Sequence, residues 1–251
     1  MAFVNSSLAV YRIRNRPRNE EVRELVPSGF KGVLVCDRGK SYDAEELADV
    51  AQQKCLAHLL RNATEVAEKK TGRAKEFSRK LKALLREAMA LRTAKAGLDA
   101  AEYRRRVETL EEELTHHLRN RILRDDDNRR LLNGVGTQQD RGNLPRFLSQ
   151  DGVEATNNRA ERELRPAAIA RKISHCSSNE RGARAFEAFT SVIQTLRKTA
   201  ASDIGEAFVQ LRDYPGSLAL INTPSRNQCD LTATSTALQL AFRLVVANQL
   251  L

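Results

Sequence analysis

The chain has 251 residues, with 42 Lys plus Arg against 32 Asp plus Glu and a formal net charge of +10. A hydrophobic fraction of 41% excludes wholesale disorder, and the length permits one large domain or two small ones. Trp is absent and aromatics reach only 5%, which argues against base-stacking modules, whereas the basic surplus favours a polyanionic partner, most simply nucleic acid. No apolar run approaches the roughly 18 residues that span a bilayer, and no signal segment opens the chain. Four cysteines (Cys36, Cys55, Cys176, Cys229) are too scattered for a disulfide framework and point to a reducing cytoplasm.

In chain order, Ala2-Phe3-Val4 and Leu8 to Ile13 read as strands separated by the turn-forming Asn5-Ser6-Ser7. A short helix is expected over Asn19 to Leu25, closed by Pro27-Ser28-Gly29. The uninterrupted apolar run Gly32-Val33-Leu34-Val35-Cys36 predicts a central strand buried on both faces, ending at Asp37. The polar loop Asp37 to Tyr42 would then lie at the carboxyl end of that strand, where open α/β sheets place their chemistry. From about Ala57 to Asn120 the apolar residues recur at helical spacing. Leu59, Leu60, Ala63, Val66 and Ala67 form one stripe, and Leu81, Leu84, Leu85, Ala88 and Leu91 a second. Tyr103, Val107, Leu110, Leu114 and His117 form a short a/d seam. Two or three long antiparallel helices packed within the chain are expected, with a coiled-coil dimer as the alternative.

Asn133-Gly134-Val135-Gly136 and Gly142-Asn143-Leu144-Pro145 predict a loop. Thr156-Asn157-Asn158 supplies caps for a helix from about Arg159, which Pro166 would end or kink. Ser177-Ser178-Asn179 caps another helix running to about Thr199, with Ala185, Phe186, Phe189, Val192, Ile193 and Leu196 as its buried stripe. A short helix is expected from Ser202-Asp203 to about Arg212. The charge-poor tail from Pro215 to Leu251 fits none of the preceding architecture.

Several of these residues carry chemistry. Between Asn157 and Arg184 stand seven basic residues, Arg159, Arg162, Arg165, Arg171, Lys172, Arg181 and Arg184, against three acidic ones. Taken alone they read as a solvated helix with Glu-to-Arg pairs at i,i+4 spacing. Asp37, taken alone, reads as the cap of the turn that follows it. Cys55-Leu56-Ala57-His58 is at most half a zinc site, since four ligands are required and no second pair stands at a suitable spacing, so packing is the simpler role. P-loop, serine-nucleophile and HExxH motifs are absent.

Three strings, taken in order, resemble the transposases of the insertion-sequence-66 family. They are Gly32 to Asp37 with Tyr42-Asp43, Cys55-Leu56-Ala57-His58-Leu59-Leu60-Arg61, and Thr156 to Arg162 continuing through Arg165-Pro166 and Arg171-Lys172. Ser178-Asn179-Glu180-Arg181-Gly182-Ala183 fits as well, so the resemblance covers about residues 1 to 212. It implies an α/β fold: a ribonuclease-H-like core, here without its first catalytic strand, interrupted by a long α-helical insertion. The implied divisions are residues 1–56 and 151–214 for the core, 57–150 for the helical insertion and 215–251 for a divergent tail.

The same resemblance implies an Asp, Asp, Glu triad holding two Mg²⁺ (or Mn²⁺) ions for DNA strand cleavage and transfer. Asp37 would be the second aspartate and Glu161 the glutamate, both catalytic and both metal ligands. Arg159, Arg162, Arg165, Arg171 and Lys172 would contact DNA, and Cys55, His58, Asn157 and Asn158 would be structural parts of the motifs. The first aspartate belongs on a strand before Ala2, so this polypeptide is expected to bind metal weakly and to be catalytically impaired. The implied partners are double-stranded DNA at transposon ends, copies of itself, or an intact transposase in a mixed oligomer. No membrane is implied, and the bacterial cytoplasm, at the nucleoid, is the expected location. A non-catalytic DNA-binding remnant and a helical interaction protein are the alternatives.

Overall fold

Two short antiparallel strands, β1 (Ala2–Val4) and β2 (Ala9–Tyr11), open the computed structural model, which describes residues 1–14, 18–119, 122–174, 177, 179–199 and 205–206. The chain is mixed α/β but mostly helical, and it divides into two compact units. One unit joins the first seventeen residues to the described chain from Asn158 onward, and the other is Arg18–Asn157. The expected helix over 202–212 (apart from Gly205 and Glu206, which are helical), His175, Cys176, Ser178, Cys229 and the tail from Pro215 lie outside the described residues.

In the first unit, Phe3 pairs with Val10 at the centre of the hairpin, and the Asn5 carboxamide oxygen accepts from the amides of Ser7 and Leu8 (2.9 and 2.7 Å) to close the turn. Helix α7 (Asn158–Ser174) packs on β1 and α8 (Glu180–Lys198) on β2. The Asn179 side chain caps α8 by accepting from the amide of Gly182 at 2.8 Å, as its place in the sequence predicts.

The face that α8 buries corrects the expected apolar stripe. Glu187, Ser191, Gln194 and Thr195 are buried, while Ala185 is exposed and Phe189 is 57% exposed. The reason lies in the edge of β2. Thr195 Oγ1 accepts from the amide of Ala9 (3.1 Å), Ser191 Oγ from that of Tyr11 (2.9 Å) and Glu187 Oε2 from that of Ile13 (2.9 Å). Eight helical residues rise about 12 Å and four strand residues about 13 Å, so the i, i+4, i+8 face matches alternate strand amides. Buried strand amides need acceptors, and that requirement outweighs the burial of the phenylalanines.

Pro166 does not end α7, which continues to Ser174. The residue is exposed, so the carbonyl of Arg162, deprived of its amide donor, faces water rather than a core.

In the second unit, α1 (Asn19–Leu25) has the expected bounds, and Gly29 (φ 77°) makes the turn after it. Strand β3 (Leu34–Cys36) pairs in parallel with β4 (Gln52–Lys54). Leu34 and Val35 are only half-buried, which corrects the expectation of a strand enclosed on both faces: among the described residues the sheet is two strands wide, with β4 as the neighbour of β3. Strand β4 has the polar sequence Gln-Gln-Lys, yet all three residues are buried. Its side chains replace apolar packing with bonds. Gln53 donates to the carbonyls of Lys54 and Leu144 and accepts from the amide of Phe147, each at 2.9 Å, which pins α6 (Arg146–Ser149) to the sheet.

Helices α2 (Leu56–Glu68), α3 (Glu76–Ala94), α4 (Ala100–Leu118) and α5 (Asp126–Asp140) supply the main core. Leu59 and Ala63 of α2, the Leu81-to-Leu91 stripe of α3 and the Tyr103-to-Leu114 seam of α4 close on one another and on α5, so the seam packs within the chain. His117 stacks on Phe77 (ring centroids 4.8 Å apart), and its Nε2 lies 3.0 Å from the Phe77 carbonyl oxygen, sealing the open end of the α3–α4 pair.

The predicted loop at Asn133 to Gly136 is instead the middle of α5. Leu131, Leu132 and Val135 are buried, and their packing outweighs the roughly 1 kcal/mol that each interior glycine costs. Of that predicted loop only the later part, at Gly142 to Pro145, is present, with Gly142 at φ 66°.

Candidate active site

The first candidate carboxylate, Asp37, directly follows β3 at its carboxyl end. Its Oδ1 accepts from the amide of Gly39 at 2.7 Å, so it does form the turn cap that its position suggests. A Cβ at position 39 would stand 2.9 Å from that oxygen, so glycine is what lets the turn close this tightly.

The loop is then bolted to its surroundings residue by residue. Arg38 reaches Asn62 of α2, whose amide is oriented to accept from the guanidinium and to donate to the His58 carbonyl. A Cβ at position 134 would lie 3.0 Å from Arg38 Nη1, so Gly134 gives the arginine room against α5. Burial depresses the Arg38 pKa below its ordinary value, partly opposed by the nearby Asp43. The Tyr42 carbonyl accepts from Gln52 Nε2 at 2.7 Å.

The loop ends on a buried charge that the sequence reading missed. Lys54 of β4 is 0% exposed, and its ammonium lies 2.9 Å from Asp43 Oδ1, 3.6 Å from Cys36 Sγ and 5.8 Å from the centre of the Tyr42 ring. Asp43 also accepts from Gln138 of α5 at 3.1 Å. Burial pushes the Cys36 thiol up to about 12 against the opposing pull of Lys54, and burial first, then Asp37 and Cys36, holds the Tyr42 phenol above its usual range. Cys36 is therefore a neutral packing group at ordinary pH, not a nucleophile. Nothing in the local pattern marks Lys54, since Gln-Gln-Lys has no apolar alternation to show a strand.

Cys55 occupies the N-cap position of α2, fully buried, and its amide donates to the Cys36 carbonyl at 2.8 Å. His58 lies one turn on and is half-buried. Cys55 thus joins the start of α2 to the carboxyl end of β3, beside Asp37.

The second candidate carboxylate, Glu161, is in the first turn of α7, in the other unit, and is half-exposed. Helix α7 contains no buried residue. Arg162, Arg165, Arg171 and Lys172 are exposed and Arg159 half-exposed. Glu163 ties α7 to its own unit: Tyr11 donates its hydroxyl to the Glu163 carbonyl, and Lys198 of α8 pairs with the Glu163 carboxylate at 2.7 Å. Asn157 and Asn158 form the entry to the helix, α7 beginning at Asn158.

A divalent ion of the expected kind wants several hard oxygen donors. Among the described residues no three His, Cys, Asp or Glu side chains converge on one point, and one oxygen of Asp37 is engaged by Gly39.

A family model described as Transposase IS66 family matches residues 2–185, nearly three quarters of the chain. The chain belongs to the IS66 transposase family. No curated protein and no solved structure matches it. The span matched by the IS66 family includes Asp37, Cys55, His58, Asn157, Asn158 and Glu161. Among the described residues of this IS66-family chain, no helix is long and apolar enough to cross a membrane.

Proposed function

We propose that this IS66-family polypeptide binds duplex DNA at transposon ends through α7, and that Asp37 and Glu161 are its positions for a divalent metal ligand in strand cleavage and transfer. One observation carries the reading: Glu161 opens a helix with no buried residue, from which Arg162, Arg165, Arg171 and Lys172 project into solvent. Exposed basic residues beside a carboxylate suit a phosphodiester held next to a cation. No ion pair among the described residues engages those four cations.

The ribonuclease-H-like core belongs to the same proposal. It is supported by an antiparallel strand pair followed by a parallel pair, with Asp37 at the carboxyl end of β3. Asp37 and Glu161 would supply hard carboxylate oxygens to Mg²⁺ or Mn²⁺, the ion that would activate the attacking oxygen and stabilise the leaving one. Association with itself or with an intact transposase, at the bacterial nucleoid, completes the reading.

The test is binding to a fluorescein-labelled duplex, followed by nicking of supercoiled plasmid with Mn²⁺. The expected results are binding that weakens steeply as salt is raised and slow nicking abolished by Glu161→Gln. Binding insensitive to salt would contradict the DNA assignment.

A second reading is DNA binding without cleavage, in which the exposed cations of α7 act alone. Nicking that disappears in Glu161→Gln rules it out. Nicking absent with every divalent metal, alongside intact DNA binding, establishes it.

A further inference from the structure

The sequence from Arg73 to Arg92 carries seven basic residues and two acidic ones, outside every element to which a DNA contact has so far been assigned. Four of them, Lys75, Arg79, Lys82 and Arg86, follow at spacings of four, three and four. At 100° per residue these positions fall within about 60° of arc, one stripe along the helix. Lys75 is the helical N-cap of α3, so the stripe begins at the helix start.

The opposite side of α3 is committed to the core. Phe77, Leu81, Leu84, Leu85, Ala88 and Leu91 are buried against α2, α4 and α6. Lys75, Arg79 and Arg86 are exposed and Lys82 half-exposed. The ion pairs that α3 makes among the described residues use other cations: Lys80 with Glu113 (3.2 Å) and Arg92 with Asp151 (3.0 Å). The two acidic residues, Glu76 and Glu87, lie off the stripe, at about 100° and 120° from Lys75 on the same helical count.

We infer that the Lys75–Arg79–Lys82–Arg86 face of α3 is a second duplex-DNA contact surface, separate in sequence and element from α7. The inference rests on the DNA-binding reading above and extends it to the helical insertion. The geometry suits a phosphate backbone: eleven residues rise about 16 Å, the axial length over which one strand of a duplex presents about five phosphates. No aromatic residue lies on the stripe, which disfavours single strands that would stack on it. The contact is to backbone charge and carries no base readout.

The test compares the slope of log Kobs against log salt for the full chain and two variants on one labelled duplex. The first neutralises the stripe (Lys75→Gln, Arg79→Gln, Lys82→Gln, Arg86→Gln). The second removes the same charge from exposed arginines already paired with acidic residues (Arg105→Gln, Arg106→Gln, Arg119→Gln, Arg129→Gln). Gln preserves helix propensity, and circular dichroism checks the fold.

If the stripe holds phosphates, its loss lowers the slope by about 3 to 4, at about 0.9 per contact, and the control lowers it by less than about 1. Should the fourfold variant fail to fold, the pairs Lys75/Arg79 and Lys82/Arg86 are neutralised separately, each expected to remove about half of that change. Wild-type DNA binding with equal slopes for stripe and control variants overturns this inference and leaves the α7 reading intact. Tighter binding to single-stranded DNA or to RNA than to duplex overturns the choice of partner. No binding to duplex by the wild type overturns the proposed function itself.

Discussion

Asp43 and Lys54 show how a single side chain can hold a loop in place. Lys54 is sealed from water, whereas the Asp43 side chain keeps 31% of its surface, so the two halves of the pair have unequal alternatives. Removing the carboxylate leaves a buried ammonium facing a thiol and an aromatic ring. Removing the ammonium leaves a carboxylate that water and Gln138 still reach. Asp43→Ala is therefore expected to cost about 3 to 5 kcal/mol and Lys54→Met about 1 to 3 kcal/mol, read from urea unfolding midpoints. Equal losses, or the reverse order, would show that the pair does not carry the loop. Both charges stood in plain view in the sequence, but their partnership did not: it depends on the parallel pairing of β3 with β4, and β4 has no pattern by which to recognise a strand.

At the scale of elements, legibility followed the source of the stabilisation. Where apolar packing decides, as for Leu81 to Leu91 and for Tyr103 to Leu114, periodicity named the residues that are buried. Where polar bonds decide, it named the wrong ones. Helix α8 has a strong apolar face, yet Thr195, Ser191 and Glu187 go inward because the amides of Ala9 and Tyr11 on β2, and of Ile13 just past it, need acceptors. Helix α5 keeps two glycines that read as a loop, one of them beside Arg38, because its leucines and valine are buried.

The α8 arrangement predicts an inverted mutational pattern. Ser191→Ala and Thr195→Val each leave a buried amide unsatisfied and are expected to cost about 1 to 3 kcal/mol. Phe189→Ala, at a 57% exposed site, is expected to stay within about 0.5 kcal/mol. Thermal melts of the three variants check this. A large loss at Phe189 with none at Ser191 would restore the apolar-stripe reading. Glu187 should be the least replaceable residue of α8. It is 2% exposed and pairs with both Arg12 and Arg14, so Glu187→Ala takes one buried carboxylate from two cations at once.

Across the whole molecule the two proposed carboxylates lie in different units, Asp37 in one and Glu161 in the other. Each unit also carries a buried acid that stays protonated: Tyr11 in the hairpin unit and Cys36 beside Lys54, both pushed up to about 12 from ordinary values of 10.0 and 9.0, burial being the largest cause. The folded state retains these protons longer than the unfolded state. Their contribution to stability is therefore complete below about pH 9 and is lost as pH climbs towards about 12. Urea midpoints at pH 8 and pH 11 should fall for the wild type, and fall less for a Tyr11→Phe, Cys36→Ala variant. An identical fall in both would assign the alkaline sensitivity to other groups.

The central proposal is that Asp37 and Glu161 are both metal ligands, and isothermal titration with Mn²⁺ reaches it most directly. Weak, saturable binding by the wild type, lost when either Asp37→Asn or Glu161→Gln is introduced alone, is the predicted result. Binding of equal strength in the wild type and both variants would contradict it.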